Sequence, residues 1–179
     1  MTKDHTSACV IIPPKEIWQP IEKIRRKHDK RVDRWMPHIN LMYPFCHRSE
    51  YSSLEQDFME TCQQIDAFPI HLNEFDFFRH RYQTYTIWLD PTPNAPIEHL
   101  QGELLRITPD CNDVNSFKGG YQPHLSLGQF TTYKIDKYIN RFKKRWDDLS
   151  FYVDEIHFIN RTNAQHSRFK VEYTFPLKR

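Results

Sequence analysis

The chain carries no surplus of one charge. Its 25 Lys and Arg stand against 23 Asp and Glu, a formal net charge of +2 with histidine neutral. A protein held to nucleic acid mainly by charge is usually far more basic, so any nucleic-acid substrate is expected to be gripped locally, at an end or over a few nucleotides. No apolar run is long enough to span a bilayer. The N-terminal one, Ala8 to Ile12, stops at Pro13-Pro14, and the leader MTKDHTSA has no apolar signal core. The chain is therefore read as starting near Met1 and as cytoplasmic or nuclear, with Asn160-Arg161-Thr162 a chance match to the glycosylation pattern. Cysteine is sparse and unpatterned. Cys9, Cys46, Cys62 and Cys111 show no CxxC spacing, which favours free buried thiols over a disulfide frame.

Aromatic bulk is present instead: 13 Phe, 9 Tyr and 4 Trp in 179 residues, enough to fill a core and to exclude a disordered chain. The length suits one domain, 1–179, built of two duplicated lobes. Ser7 to Ile12 reads as a strand, and Ile17, Ile21, Ile24 and His28 fall at helical spacing. Met36 to Phe45 reads as a strand, and Leu54, Phe58, Cys62 and Ile65 mark one side of a helix. Phe68 to Phe78 and Thr84 to Leu89 read as a pair of strands. After the Pro91 to Pro96 break, a helix over 97–107, a strand after Gly119-Gly120, and a helix carrying Ile135, Tyr138, Ile139, Phe142 and Trp146 are expected. Phe151 to Ile159 and Arg168 to Phe175 close the chain as two strands. Each half then runs helix, strand, helix, strand, strand, and NEFDFF at 73–78 echoes DEIHFI at 154–159. Mixed elements in this order predict an α+β architecture of two similar lobes, each an antiparallel sheet with helices outside, flanking a central cleft.

One phrase is written twice. Residues 37–41 read PHINL and residues 123–127 read PHLSL. In a strand, residues i and i+2 share a face. His38 therefore shares a face with Asn40, and His124 with Ser126, while Ile39 and Leu125 point into a core. Two imidazoles facing across a cleft, each beside a hydrogen-bonding side chain, suit cleavage of a phosphodiester. One acts as base on the attacking oxygen and the other as acid on the leaving oxygen. Asn40 and Ser126 donate to the non-bridging oxygens, where negative charge gathers in the transition state. A lone histidine among ten is far more often structural than catalytic. A matched pair in corresponding places is a different matter, because a histidine and its polar partner do nothing for packing.

The remaining candidates are weaker. Cys46-His47 offers two metal ligands where zinc normally takes three or four, so no metal is assigned. The basic run Arg25, Arg26, Lys27, His28, Lys30 and Arg31 reads as a solvated helix face. Trp35, Tyr43, Phe45 and Tyr121 lie near the motifs; each is core by default, with base stacking as the minority reading.

The paired His-x-Asn and His-x-Ser phrases, one per half, resemble the 2H phosphoesterase superfamily over nearly the whole chain. That superfamily includes 2′-5′ RNA ligase-like proteins and cyclic phosphodiesterases. The family motif is usually His-x-Thr or His-x-Ser, and Asn40 departs from it by lacking a hydroxyl. The resemblance implies a bilobal fold with both histidines in the cleft, and hydrolysis of 2′,3′-cyclic phosphate ends of RNA or nucleotides without metal or cofactor. His38 and His124 would be the acid–base pair, and Asn40 and Ser126 the phosphate binders. It also implies that the second histidine activates water while the first protonates the 3′ oxygen, leaving a 2′-phosphate. The alternatives are a 2′-5′ oligoadenylate or 3′ RNA-end phosphodiesterase, or a nucleotide-binding module without turnover. The expected partners are RNA 3′ ends or small nucleotides, with no membrane and no obligatory protein. RNA ligation is disfavoured because the chain has neither a P-loop nor a nucleotidyl-transfer lysine motif.

Overall fold

The computed structural model describes residues 2–179. In chain order the elements are β1 (Lys3–Asp4), β2 (Ser7–Ile11), α1 (Trp18–His28), β3 (Ile39–Met42), β4 (Phe45–Cys46), α2 (Tyr51–Cys62), β5 (Phe68–Arg79), β6 (Thr84–Thr92), α3 (Ala95–Ile107), β7 (Leu125–Thr131), α4 (Ile135–Lys143), β8 (Ser150–Val153), β9 (Glu155–Asn160) and β10 (Lys170–Pro176). They build the expected α+β fold from two four-stranded antiparallel sheets, ordered β10-β9-β2-β3 and β7-β6-β5-β8. The histidine strands β3 and β7 are the two inner edges. Helices α2 and α3 pack on the first sheet, α1 and α4 on the second.

Alternation explains the strands. In β5, Phe68, Ile70 and Leu72 are buried while Pro69 and His71 are exposed, so one face meets the core and the other stays polar. Ile39 and Leu125, between the polar residues of the two phrases, are fully buried as expected. All four cysteines are buried free thiols.

Two expectations are corrected. The 36–45 stretch is two short strands, β3 and β4, separated by a cis Tyr43-Pro44 bond, and His38 precedes β3, as His124 precedes β7, rather than sitting within the strand. The 151–159 stretch is also two strands. It breaks at Asp154, where the chain leaves one sheet for the other, so β8 pairs with β5 and β9 with β2 and β10. The lobes therefore do not coincide with the halves of the chain. The first half supplies β5 and β6 to the sheet holding the second histidine phrase, and β9 and β10 complete the sheet holding the first. The echoed texts 73–78 and 154–159 still occupy equivalent places, third from the histidine edge in each sheet.

Helix α1 crosses between the lobes and its end lies hard against β7. Gly128 makes that approach possible: its φ is +154°, and a Cβ there would stand 2.6 Å from the His28 Cβ and 2.7 Å from the His28 carbonyl carbon. The His28 ring stacks on Phe130, with centroids 4.5 Å apart.

Candidate active site

Each histidine is oriented by its own phrase. His38 Nδ1 lies 2.8 Å from the Met36 carbonyl and His124 Nδ1 lies 2.7 Å from the Gln122 carbonyl. A carbonyl only accepts, so each Nδ1 carries the hydrogen and Nε2 of the neutral ring carries the free lone pair. The intervening prolines, Pro37 and Pro123, bias the residue before them to extended backbone, which suits a carbonyl turned back onto the ring. They thus serve the histidines as well as the packing.

The two phrases meet. Strands β3 and β7 approach within 8 Å, Cα to Cα, and the Tyr121 hydroxyl donates to the Asn40 carbonyl at 2.7 Å, tying the loop before one phrase to the strand of the other. Burial pushes His38 down to about 4, with Arg25 and the neighbouring His124 adding to the effect and the Met36 hydrogen bond opposing it. Burial also lowers His124, again against its carbonyl hydrogen bond. Both imidazoles are therefore neutral at pH 7 in the free protein. Asn40 Oδ1 is buried without a hydrogen-bond partner, and Ser126 Oγ has no protein partner among the described residues. Buried polar groups are rarely left so.

The aromatic candidates part company. Trp35 is 8% exposed and has both faces covered, by His38 at 4.5 Å and 17° and by Phe169 at 3.7 Å and 28°. It backs the first histidine and has no face left for a base. Phe45 is fully buried among Tyr51, Phe58 and Phe158, so it too is withdrawn as a stacking candidate. Tyr43 is half-buried, edge-on to Trp35 and His5, and Tyr121 is spent on its cross-link. The sequence reading missed Phe78 and Trp88. These rings stack at 5.0 Å, and both turn toward His124, at 4.9 and 5.8 Å. Their register with β7 was the missing information: Trp88 lies opposite Ser126, and Phe78 opposite Thr86.

Arg25 also departs from expectation. It is 2% exposed, not solvated, and its guanidinium is held by Glu22 at 2.6 Å and Asp29 at 3.0 Å. It donates to the Trp35 carbonyl at 2.9 Å, fixing the turn that leads into His38. Its neighbour Arg26 is 77% exposed, as the basic run implied.

A family profile for the 2′-5′ RNA ligase superfamily matches residues 13–165. The chain belongs to that superfamily. The match confirms the 2H phosphoesterase resemblance. Similar solved structures share the superfamily's fold across nearly the whole chain. E. coli LigT in complex with phosphate matches with a TM-score of 0.65 at 16% identity, covering 99% of this chain and 100% of that one. TT0787 of Thermus thermophilus matches at 0.64 and 10% identity, covering 96% and 97%. A presumed phosphoesterase of Geobacillus kaustophilus, GK0864, is 29% identical over 97 residues, 53% of this chain, and the match spans about half, 54%, of that relative's length.

A third imidazole lies on the histidine side of the first sheet. His157 is opposite Val10, which is itself opposite Asn40. It is 7% exposed, with Nδ1 3.0 Å from Thr174 Oγ1, and burial lowers it to about 4. A folded value near 4 and an unfolded value near 6.5 mean that the unfolded chain binds more protons between them. The stabilisation is complete above pH 6.5 and is lost as pH falls toward 4. It amounts to about 3 kcal/mol for a group this buried. Urea unfolding of wild type should weaken across that window, with His157→Gln flattening the slope. Equal slopes for the two proteins would remove His157 from the account.

Proposed function

We propose that the chain is a metal-independent phosphodiesterase that opens 2′,3′-cyclic phosphate ends of RNA or nucleotides, leaving a 2′-phosphate. The observation that carries this is the pair of equivalently oriented imidazoles at two facing strand edges, each two residues from an unpartnered hydrogen-bonding side chain. Water attacks phosphorus while one Nε2 takes its proton. The other Nε2–H protonates the departing 3′ oxygen, and Asn40 Nδ2 and Ser126 Oγ donate to the non-bridging oxygens. The pair regains its starting state when the proton is passed back through solvent.

We take His124 as the acid and His38 as the base, the reverse of the roles implied by the family resemblance, because the Arg25 charge adds to the burial that disfavours an imidazolium at His38, whereas burial alone disfavours it at His124. Anionic phosphate entering the cleft raises both pKa values and supplies the protonated state at neutral pH. E. coli LigT, which shares the fold, has been crystallised with phosphate and with 3′-AMP, supporting a nucleotide-sized occupant here.

The deciding experiment incubates the protein, in chelator, with an RNA oligonucleotide ending in 2′,3′-cyclic phosphate and reads the position of the product phosphate. Opening to a 2′-phosphate is expected. Activity that appears only with added divalent metal would overturn the mechanism. An intact cyclic end with cleavage of 2′-5′ or 3′-5′ linkages would transfer the pair to a linear diester, and tight nucleotide binding with no hydrolysis would make the cleft a binding module.

A further inference from the structure

The hairpin joining β5 to β6 ends in a tip that packing does not explain. Tyr82 has φ 55° and ψ 38°, and Gln83 follows at φ 54°. A bulky residue in the left-handed region is an outlier, and such conformations persist where surrounding structure or function holds them. Yet Tyr82 is 91% exposed. The Thr132 amide donates to the Gln83 carbonyl at 3.1 Å, bringing the exit of β7 alongside, and Tyr133, one residue on, is 88% exposed. Arg79, Arg81, Lys134 and Lys137 are exposed around this pair.

The tip connects to the histidines across the polar face of the second sheet. His80 Nε2 lies 2.9 Å from Thr86 Oγ1, Thr86 lies opposite Phe78, and Phe78 reaches His124. By strand rise, β7 covers roughly 20 Å along this path. Asp76, on the same face as Phe78, and Asp136, in the first turn of α4, are its acidic exceptions. The corresponding face of the first sheet is different. Ala8, Val10 and Ile159 there are buried beneath Trp35 and Phe169. A strand leaving the histidines therefore passes a partly exposed ring, Phe78, over the second lobe, while the corresponding face of the first is covered.

We propose that the tip is a distal binding subsite for single-stranded RNA. Bases stack on Tyr82 and Tyr133, and the backbone phosphates meet Arg79, Arg81, Lys134 and Lys137. Exposed flat rings set among cations match the two features that every nucleotide of a single strand repeats, a π-face and a negative phosphate. An acidic peptide would use the charges alone. The inference deepens the proposed function and rests on it for the direction of the strand, which runs from a scissile phosphate at His38 and His124. It makes a polynucleotide, rather than a free nucleotide, the preferred substrate.

The test is binding measured without turnover, by fluorescence anisotropy of labelled RNA in chelator. A dinucleotide is compared with an oligonucleotide of about eight nucleotides, long enough to cross a site of this kind. Wild type should bind the longer RNA about 10-fold tighter or more, and Tyr82→Ala and Tyr133→Ala should each lose about 5-fold or more of that affinity, the effect of one lost stack. Tyr82→Phe should keep it. Tyr82→Gly relieves the backbone, so it should raise the thermal midpoint while weakening RNA binding, a combination that a purely structural tyrosine would not produce. Equal affinity for both lengths, or longer-RNA binding untouched by both alanine variants, overturns the subsite. An inactive protein that binds the longer RNA through Tyr82 would uphold it and defeat the catalytic reading instead.

Discussion

Alanine in place of His124 or of His38 is expected to lower kcat on a 2′,3′-cyclic phosphate by about 10² to 10⁴-fold, the usual worth of a general acid or base. Removing both should cost much less than the product of the single losses, because acid and base act as a unit. The roles separate with the leaving group. A diester losing p-nitrophenolate needs little protonation, so His124→Ala should recover most of its activity on it, whereas His38→Ala should not. Recovery by His38→Ala alone would exchange the two assignments. The pH profile is a further check. Both imidazoles are depressed by burial in the free protein, so kcat/KM should peak below the ordinary imidazole range rather than near neutrality. The kcat profile, which reports the complex, should lie at higher pH because bound phosphate favours the imidazolium. A flat profile from pH 4 to 8, or alanine variants as fast as wild type, would end the acid–base account.

Valine at Gly128 should be the most damaging single change to the scaffold, costing about 3 kcal/mol or more. Two penalties combine. A φ of +154° is strained for any residue with a Cβ, and the added carbon would lie 2.6 to 2.8 Å from His28, two of whose three clashing atoms are backbone. Backbone at the end of a helix yields only if the helix moves. Helix α1 carries Arg25, whose hydrogen bond to the Trp35 carbonyl fixes the approach to His38. Displacing it should therefore disturb the histidine pair before the protein unfolds. Urea denaturation gives the stability and kcat at low denaturant gives the site. A loss below 0.5 kcal/mol, within the range of ordinary surface changes, would show that α1 accommodates the side chain. Gly102, Gly119 and Gly120 have open space around the same position, so alanine there should meet no such clash.

The contrast between Gly128 and the histidine phrases shows what a linear text conveys about this fold. The phrases were legible because their chemistry is local: proline, histidine, an apolar residue and a polar one, twice, at strand periodicity. Gly128 carried no such mark, since its reason is a helix a hundred residues away. Arg25 was indistinguishable from Arg26 within a basic run, and only the arrival of Trp35, Asp29 and Glu22 around it made the difference. Trp35 and Phe45 looked like stacking candidates because proximity to a motif in sequence says nothing about which faces are already covered. Phe78 and Trp88 were hidden for the opposite reason, since the strand they share a surface with follows more than thirty residues later. Pairing of strands from opposite halves is likewise a long-range choice, and neither the alternating burial of β8 nor the continuous burial along β9 names the sheet that receives it.

The placement of Asp154, where the chain changes sheets, also bears on how the protein comes into being. All four strands of the second sheet lie between residues 68 and 153, so that sheet is complete in a nascent chain while β9 is still unmade. The first sheet is not: Ser7 waits for Asn160, its partner in β9. A ribosome that stalls in this interval presents β2 with one edge unpaired and apolar, the kind of edge that recruits other strands. Fragments ending before β9 are therefore expected to be sticky rather than weakly active, and the protein's abundance to depend on how quickly β9 and β10 follow the second sheet.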